Sequence, residues 1–229
     1  MEESLTIYFV RHGETYFNKN QRTQGWCDPL LTPEGEKEVR AIGRELSKVK
    51  FDAAIVSDLK RTQTTAELIL SESIYPTWLV PIKQMTEFRE ISFGSFEGME
   101  SQETWEILRK HLGFATIKEM LEGTTEKERL QALHPADPLG QGEDYQDYCQ
   151  HLYDGMDKLL ADFGHTSAVL LFIGHSINIR HLLQYLIPKE DHMDAFYDMY
   201  SMKNAGVIII KKEHGKFKVK RYIDKIFKF

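Results

Sequence analysis

Three places in the chain set arginine or histidine directly after an apolar run. "TIYFVRHGE" carries Ile7, Phe9 and Val10 into Arg11-His12-Gly13-Glu14. "FDAAIVSDLKRT" ends its apolar stretch at Ser57 and places Arg61 soon after, while "AVLLFIGHS" runs into Gly174-His175. Arginine is permanently charged and presents a planar fork of donors that matches a phosphoryl group. A neutral histidine can attack phosphorus and form a covalent intermediate, dividing one hard displacement into two easier ones. Gly13 removes bulk beside His12, so that ring and backbone can approach a ligand closely. Any one of these histidines could be an ordinary polar residue at a strand end. Three junctions offering the same chemistry point to phosphoryl transfer.

The oxygen leaving phosphorus must take up a proton, which arginine cannot supply. "TEFREISFGSFEG" offers Glu87, Glu90 and Glu97 among phenylalanine and glycine. A partly dry, aromatic setting raises a carboxyl pKa and suits it to donate near neutrality. On chemistry alone all three stay open.

The elements that must position these groups alternate between strand-like and helix-like runs, which implies α/β layering. Ile7–Val10 reads as the first strand. "LTPEGEKEVRAIGREL" follows as a helix, with Thr32 as N-cap, Pro33 at the first helical position, and Val39, Ile42, Leu46 and Val49 on one face. "FDAAIV" is a second strand, with Ser57 as the expected cap of a helix over Asp58–Leu70 whose N-terminus would add N–H groups for an anion. "DYQDYCQHLYDGMDKLLADFG" has helical spacing with Gly164 as its stop, and Ala168–Ile173 is an apolar strand buried on both faces. A helix from Ser176 to Leu186 precedes Pro188, and "GVIII" pairs with the alternating tail through a turn at Gly215. Residues 98–142 are charged, helical in pattern and free of strand signals, with a Thr125/Glu128 capping box. They are expected to form a cap inserted in a single domain spanning residues 1–229. In such sheets ligands bind beyond the carboxyl ends of the strands, the edge to which all three junctions belong.

With 229 residues, 41% of them hydrophobic, the chain has material for one large core. The formal charge of −6 argues against a nucleic-acid binder, and the lysines near Phe217 suit a guarded sheet edge instead. No apolar stretch reaches the roughly 20 residues that span a bilayer, and Met1-Glu2-Glu3-Ser4 is no secretory leader. Cys27 and Cys149 form neither a disulfide framework nor a metal cluster, so the expected setting is the reducing cytoplasm and the expected metal complement is none. Oligomeric state is not read from the sequence.

"FVRHGETYFNKNQRTQGWCDPLLTPEG", "SDLKRTQTTAE", "FREISFGSFEG" and "FIGHSINIR" together resemble, in order, the four blocks of the histidine phosphatase superfamily in its phosphoglycerate-mutase-like branch. The resemblance covers Ile7 to Gly206 and is weakest in the insertion. It implies a three-layer α/β/α sandwich with a mixed, mostly parallel sheet, and no metal cofactor. It makes His12 the phosphorylated residue, with Arg11, Arg61 and His175 around the phosphate, and selects Glu90 as proton donor. Asn18, Gln24 and Gly25 resemble further phosphate contacts, and Arg22 is either a helper or an ordinary surface cation. Read as ordinary residues, Glu87 and Glu97 make a structural pair, either of which Arg89 could join, Trp26 packs in the core and His181 lies on a helix surface without a role.

The resembling family holds both phosphatases and mutases. Its mutases carry paired arginines and a lysine in the insertion, whereas this chain has Arg109, Lys110, Lys118, Lys127 and Arg129 with no Arg-Arg pair. "FREISFGSFEG" is also closer to the phosphatases. The expected activity is therefore hydrolysis of a small phosphorylated metabolite. A phosphoglycerate mutase, needing 2,3-bisphosphoglycerate as cofactor, is the second reading, and a catalytically idle binding scaffold the third.

Overall fold

A computed structural model describes residues 4–187 and 202–223 of the chain. Met1 to Glu3 and Pro188, which figured in the sequence reading, lie outside the described residues, as does the tail beyond Ile223. In chain order the elements are β1 (Thr6–Arg11), α1 (Tyr16–Lys19), α2 (Pro33–Glu45), β2 (Ala53–Val56), α3 (Lys60–Ser71) and β3 (Ile82–Gln84). A helical stretch follows as α4 (Ser101–His111), α5 (Ile117–Gly123), α6 (Glu126–Ala136) and α7 (Tyr145–Phe163). The chain then returns through β4 (Val169–Gly174), α8 (Ser176–Leu186), β5 (Val207–Glu213) and β6 (Lys216–Ile223).

The six strands form one mixed sheet in the order β3-β2-β4-β1-β5-β6. β1 to β4 run parallel, and β5 and β6 are antiparallel additions at one side. Successive side chains of a strand point to opposite faces, and the central strands are apolar on both. Ile7, Phe9, Leu170 and Phe172 face a core shared with Leu152, Met156 and Leu159 of α7 and Leu182 of α8. Val10, Leu171, Ile173 and Val56 face the other, with Val39 and Ile42 of α2 and Ile69 of α3. Helices thus cover both faces, giving the α/β/α sandwich. Leu108 of α4, Met120 of α5, and Leu130 and Leu133 of α6 join the α7–α8 core, so the three cap helices share that layer's apolar interior.

Local signals account for most boundaries. Thr32 caps α2 by accepting from Gly35 N, with Pro33 next, and Thr125 and Glu128 make a reciprocal capping box on α6. One expectation needs correction. Ser57 does not cap α3, which begins at Lys60 after Leu59; the serine hydroxyl bonds Thr62 and His175 instead. Gly164 ends α7 as expected, with φ −64°, an ordinary right-handed conformation. β3 carried no sequence signal because all three of its residues are exposed, on the sheet's edge.

Candidate active site

Strand register brings the two histidines together. Arg11 of β1 pairs with Gly174 of β4, so His12 and His175 leave adjacent strands at the same level. Their ring centroids are 5.3 Å apart, and they are 3% and 1% exposed. On the other side of β4, Val56 of β2 pairs with Ile173, which sets Ser57 and the first turn of α3 beside His175. Glu90 arrives from the loop beyond β3. That loop is anchored by Phe88, whose ring packs 4.8 Å from Phe172 and whose carbonyl accepts from Asn178 Nδ2. Asn178 Oδ1 accepts from the His175 amide, so one side chain ties the second histidine to the acid's loop.

The hydrogen bonds define the tautomers. His12 Nδ1 lies 2.8 Å from the Gly13 carbonyl, an acceptor only, so Nδ1 carries the proton and Nε2 keeps its lone pair. His175 Nδ1 lies 3.1 Å from Arg61 Nη2, a donor only, so here Nε2 holds the proton and donates to Ser57 Oγ. Burial, then the Arg61 charge, pushes both imidazoles well below the usual histidine range; at His12 the charge of Arg11 adds to this. Both are neutral at pH 7, and His12 presents a nucleophilic nitrogen.

Arg61 is 2% exposed and braced from several sides: Nη1 donates to Cys27 O and Asp28 Oδ1, and Nη2 to Gly25 O at 2.5 Å. Arg11 Nη1 donates to Met202 O at 2.5 Å. Burial pulls the Arg11 pKa down to about 10, which leaves it charged at neutrality. The Nε atoms of both arginines are buried and find no partner among the described residues. Such N–H groups are costly unless an acceptor satisfies them, and anionic oxygens are acceptors of the right kind.

Glu90, 4% exposed, accepts from the Ile177 amide at Oε2 (2.9 Å) and from the Tyr148 hydroxyl at Oε1 (3.1 Å). Burial raises its pKa above the usual carboxyl value, against the pull of the Ile177 amide and Arg180. Glu97 is already committed: its carboxylate accepts four amides, from Gly25, Trp26, Cys27 and Phe93. Glu87 pairs with Lys158 at 2.7 Å. Of the three carboxyls, Glu90 alone has the dry environment of a proton donor.

A cavity of about 350 Å³ opens over this cluster, and Arg11, His12, Glu90 and His175 line it together with Asn18, Gln24 and Arg22. Asn18 Oδ1 accepts from Thr15 and from Asn204 Nδ2, and Gln24 Oε1 accepts from Thr15 Oγ1 at 2.5 Å. Arg22 is exposed and donates to Gly98 O at 2.6 Å, at the foot of the cap. Gly25 lies behind this wall. Its N–H and carbonyl serve Glu97 and Arg61, and a Cβ would stand 2.1 Å from Ile91 O. The α3 amides of Lys60 and Arg61 are likewise taken, by the Asp28 carboxylate, and are not offered to an anion.

Several residues depart from expectation. Gly13 is small for packing, since a Cβ there would meet Val39 Cγ2 at 2.7 Å. Arg89 pairs with Asp58, not with Glu87 or Glu97, and lies 4.5 Å over the Trp26 ring. Trp26 is 43% exposed and not a core residue; its Nε1 donates to Glu90 O. His181 is buried, not on the helix surface, and bonds the Tyr145 hydroxyl. Arg180 and Glu126, paired across the cavity, were missed, as were Tyr148, Asn178 and Asp28. A signal existed for Arg180: it is a charged side chain set within the apolar run of "SINIRHLL". Among the described residues, no group of three or more His, Cys, Asp or Glu side chains is placed to hold a metal ion.

The sequence profile of the histidine phosphatase superfamily (branch 1) matches residues 7–225. Over 97 residues the chain is 37% identical to the uncharacterized phosphatase PhoE of Bacillus subtilis (strain 168), covering 42% of this chain and 48% of that protein. Over 116 residues it is 34% identical to a 2,3-bisphosphoglycerate-dependent phosphoglycerate mutase of Blochmanniella floridana, covering 50% and 47%. The matches thus span about half the length of each of these relatives. The crystal structure of a phosphoglycerate mutase from Bacillus anthracis str. Sterne superposes with TM-score 0.84 at 26% identity, covering 98% of this chain and 94% of that one.

Proposed function

The chain belongs to the histidine phosphatase superfamily, and from that premise we propose that it hydrolyses a small phosphomonoester through a phosphohistidine on His12. One observation carries this reading: a neutral His12, its ring fixed through Nδ1 and its Nε2 unshared, lines one cavity with Arg11 and a raised-pKa carboxyl, and Arg61 is buried behind them against His175. Nε2 attacks phosphorus as the P–O bond to the leaving group breaks, and protonated Glu90 gives its proton to that oxygen. Arg11 and Arg61 supply fixed positive charge for the phosphoryl oxygens, with His175 holding Arg61. Water then attacks phosphorus, Glu90 takes its proton, the P–N bond breaks and inorganic phosphate leaves. Neither metal nor organic cofactor enters this scheme. Two free cysteines suit a cytoplasmic setting, and among the described residues no helix is long and apolar enough to cross a membrane.

A specific observation favours keeping the mutase as second reading. The insertion has no Arg-Arg pair, yet Arg129 of α6 and Arg180 of α8 both line the cavity. Such a pair suits a second anionic group on the substrate, and in that case 2,3-bisphosphoglycerate becomes the cofactor.

The test is turnover of p-nitrophenyl phosphate with an alkaline quench and detection of phosphohistidine. The native protein should label at His12, and His12→Ala should keep less than about 1% of activity. More than a few per cent remaining would move the nucleophile elsewhere. Rapid isomerisation of 3-phosphoglycerate with little phosphate release would select the mutase.

A further inference from the structure

Glu90 has to change protonation state twice per cycle in the reading above, on which this inference rests, so what surrounds its two oxygens matters. They are not equivalent. Oε1 accepts from the Ile91 amide at 3.2 Å and from the Tyr148 hydroxyl at 3.1 Å, which fills both of its acceptor positions. Among the described residues Oε2 accepts only the Ile177 amide, at 2.9 Å, and keeps a position open. We propose that Tyr148 is a positioning residue for the proton donor, occupying Oε1 so that the transferable proton sits on Oε2, the oxygen held at the start of α8.

Tyr148 is built in place for this. It is fully buried on α7, and its ring meets His151 and His181 edge-on, with centroids 5.4 and 5.7 Å away. His181 donates through Nδ1 to Ile177 O and accepts at Nε2 from the Tyr145 hydroxyl. The residue that donates to Oε2 and the ring that donates to Oε1 are therefore joined through one buried imidazole. Two of the three donors to Glu90 among the described residues are backbone amides; Tyr148 is the one a substitution can remove.

The groups facing Glu90 are Arg11 from β1, Arg61 from α3, Tyr148 from α7 and Arg180 from α8, with His12 and His175 on the same cavity. Burial holds both histidines neutral and pushes the Tyr148 phenol well up, while it raises Glu90 above the usual carboxyl range. A phenol donating to a carboxylate favours the ionised form; its loss raises the acid's pKa and weakens the acid.

The experiment measures kcat against pH for an alkyl phosphate and for p-nitrophenyl phosphate, in the native protein and in Tyr148→Phe. With the alkyl substrate, activity falls as pH rises through the Glu90 pKa, and in Tyr148→Phe this limb should move about one pH unit higher. The plateau for the alkyl substrate should drop about ten-fold relative to the aryl one, whose leaving group needs no proton. 3-Fluorotyrosine at position 148, a stronger donor with the same packing, should move the limb the other way, which keeps the test decisive should Tyr148→Phe fail to fold. In a Glu90→Gln background the Tyr148→Phe change should leave the alkyl-to-aryl ratio unaltered. Native turnover with an unmoved limb, or with additive losses in the double variant, overturns the role of Tyr148 alone. Absence of native turnover and of labelled His12 overturns the parent reading with it.

Discussion

His12 and Arg129 meet in one cavity, but they are held there by different means. His12 follows a central strand; its amide donates to Gly174 O, and its carbonyl accepts from Ala205 N and Asn204 Nδ2. Arg129 sits on α6, a helix of eleven residues, and its Nη1 is held by the carbonyl and hydroxyl of Thr124 in the adjoining turn. The strand end is fixed by a sheet whose neighbours on both sides are buried. The cap is fixed by its own local turns, by an apolar seam against α7 and by polar ties such as Glu126 to Arg180 of α8. A site divided this way keeps its reacting atoms on the rigid part and places the substrate-sorting wall on the part that can vary without disturbing them.

Three substitutions sharpen that division, in falling order of effect. Glu90→Gln acts on the rigid side and should cut turnover of alkyl phosphates about 10²–10³-fold while costing p-nitrophenyl phosphate far less. Equal losses on both, in steady-state assays, would take the acid role away from Glu90. Arg129→Gln acts on the cap and should raise KM about ten-fold for phosphomonoesters carrying a second anionic group, with kcat on p-nitrophenyl phosphate unchanged. A fall in kcat instead would mean that the cap shares in the chemistry and would break the comparison.

The third change concerns the joint between the two regions. Asp137, 6% exposed, ends α6 and accepts from the Ser95 hydroxyl and from the Ser95, Leu139, Gln141 and Gly142 amides. Burial alone would raise its pKa; the Ser95 hydroxyl and these amides outweigh it and bring it down to about 2. Because the folded value is depressed, the stabilisation is present above the unfolded carboxyl pKa of about 4 and is lost as pH falls through about 2. Asp137→Asn should lower the Tm by roughly 3–8 °C at pH 7 and leave little difference from the native protein near pH 2, measured by thermal scans.

How much of this was legible in the chain depends on the distance over which each signal acts. Thr32-Pro33, Thr125 with Glu128, and the apolar runs of β1 and β4 are local, and they describe their elements correctly because capping and strand burial are decided within a few residues. Arg11, His12, Arg61 and His175 were legible because each stands at the end of such an element, on the edge where parallel sheets bind ligands. Ser57 and Trp26 were misread. Each satisfies its polar group with a partner far away in sequence, His175 for the serine and the Glu90 carbonyl for the tryptophan. His181 departs from its surface expectation because α7 packs against it, with the Tyr148 ring edge-on and the Tyr145 hydroxyl bonded to its Nε2.

By itself the sequence determined the elements, their order and the set of charged side chains at their ends, because hydrophobic period and capping are short-range. Only the tertiary structure decided which nitrogen of each histidine holds its proton, which of three glutamates is dry, and that Arg129 and Arg180 face one cavity. Those outcomes depend on partners brought in from other strands and helices, and no spacing along the chain encodes them.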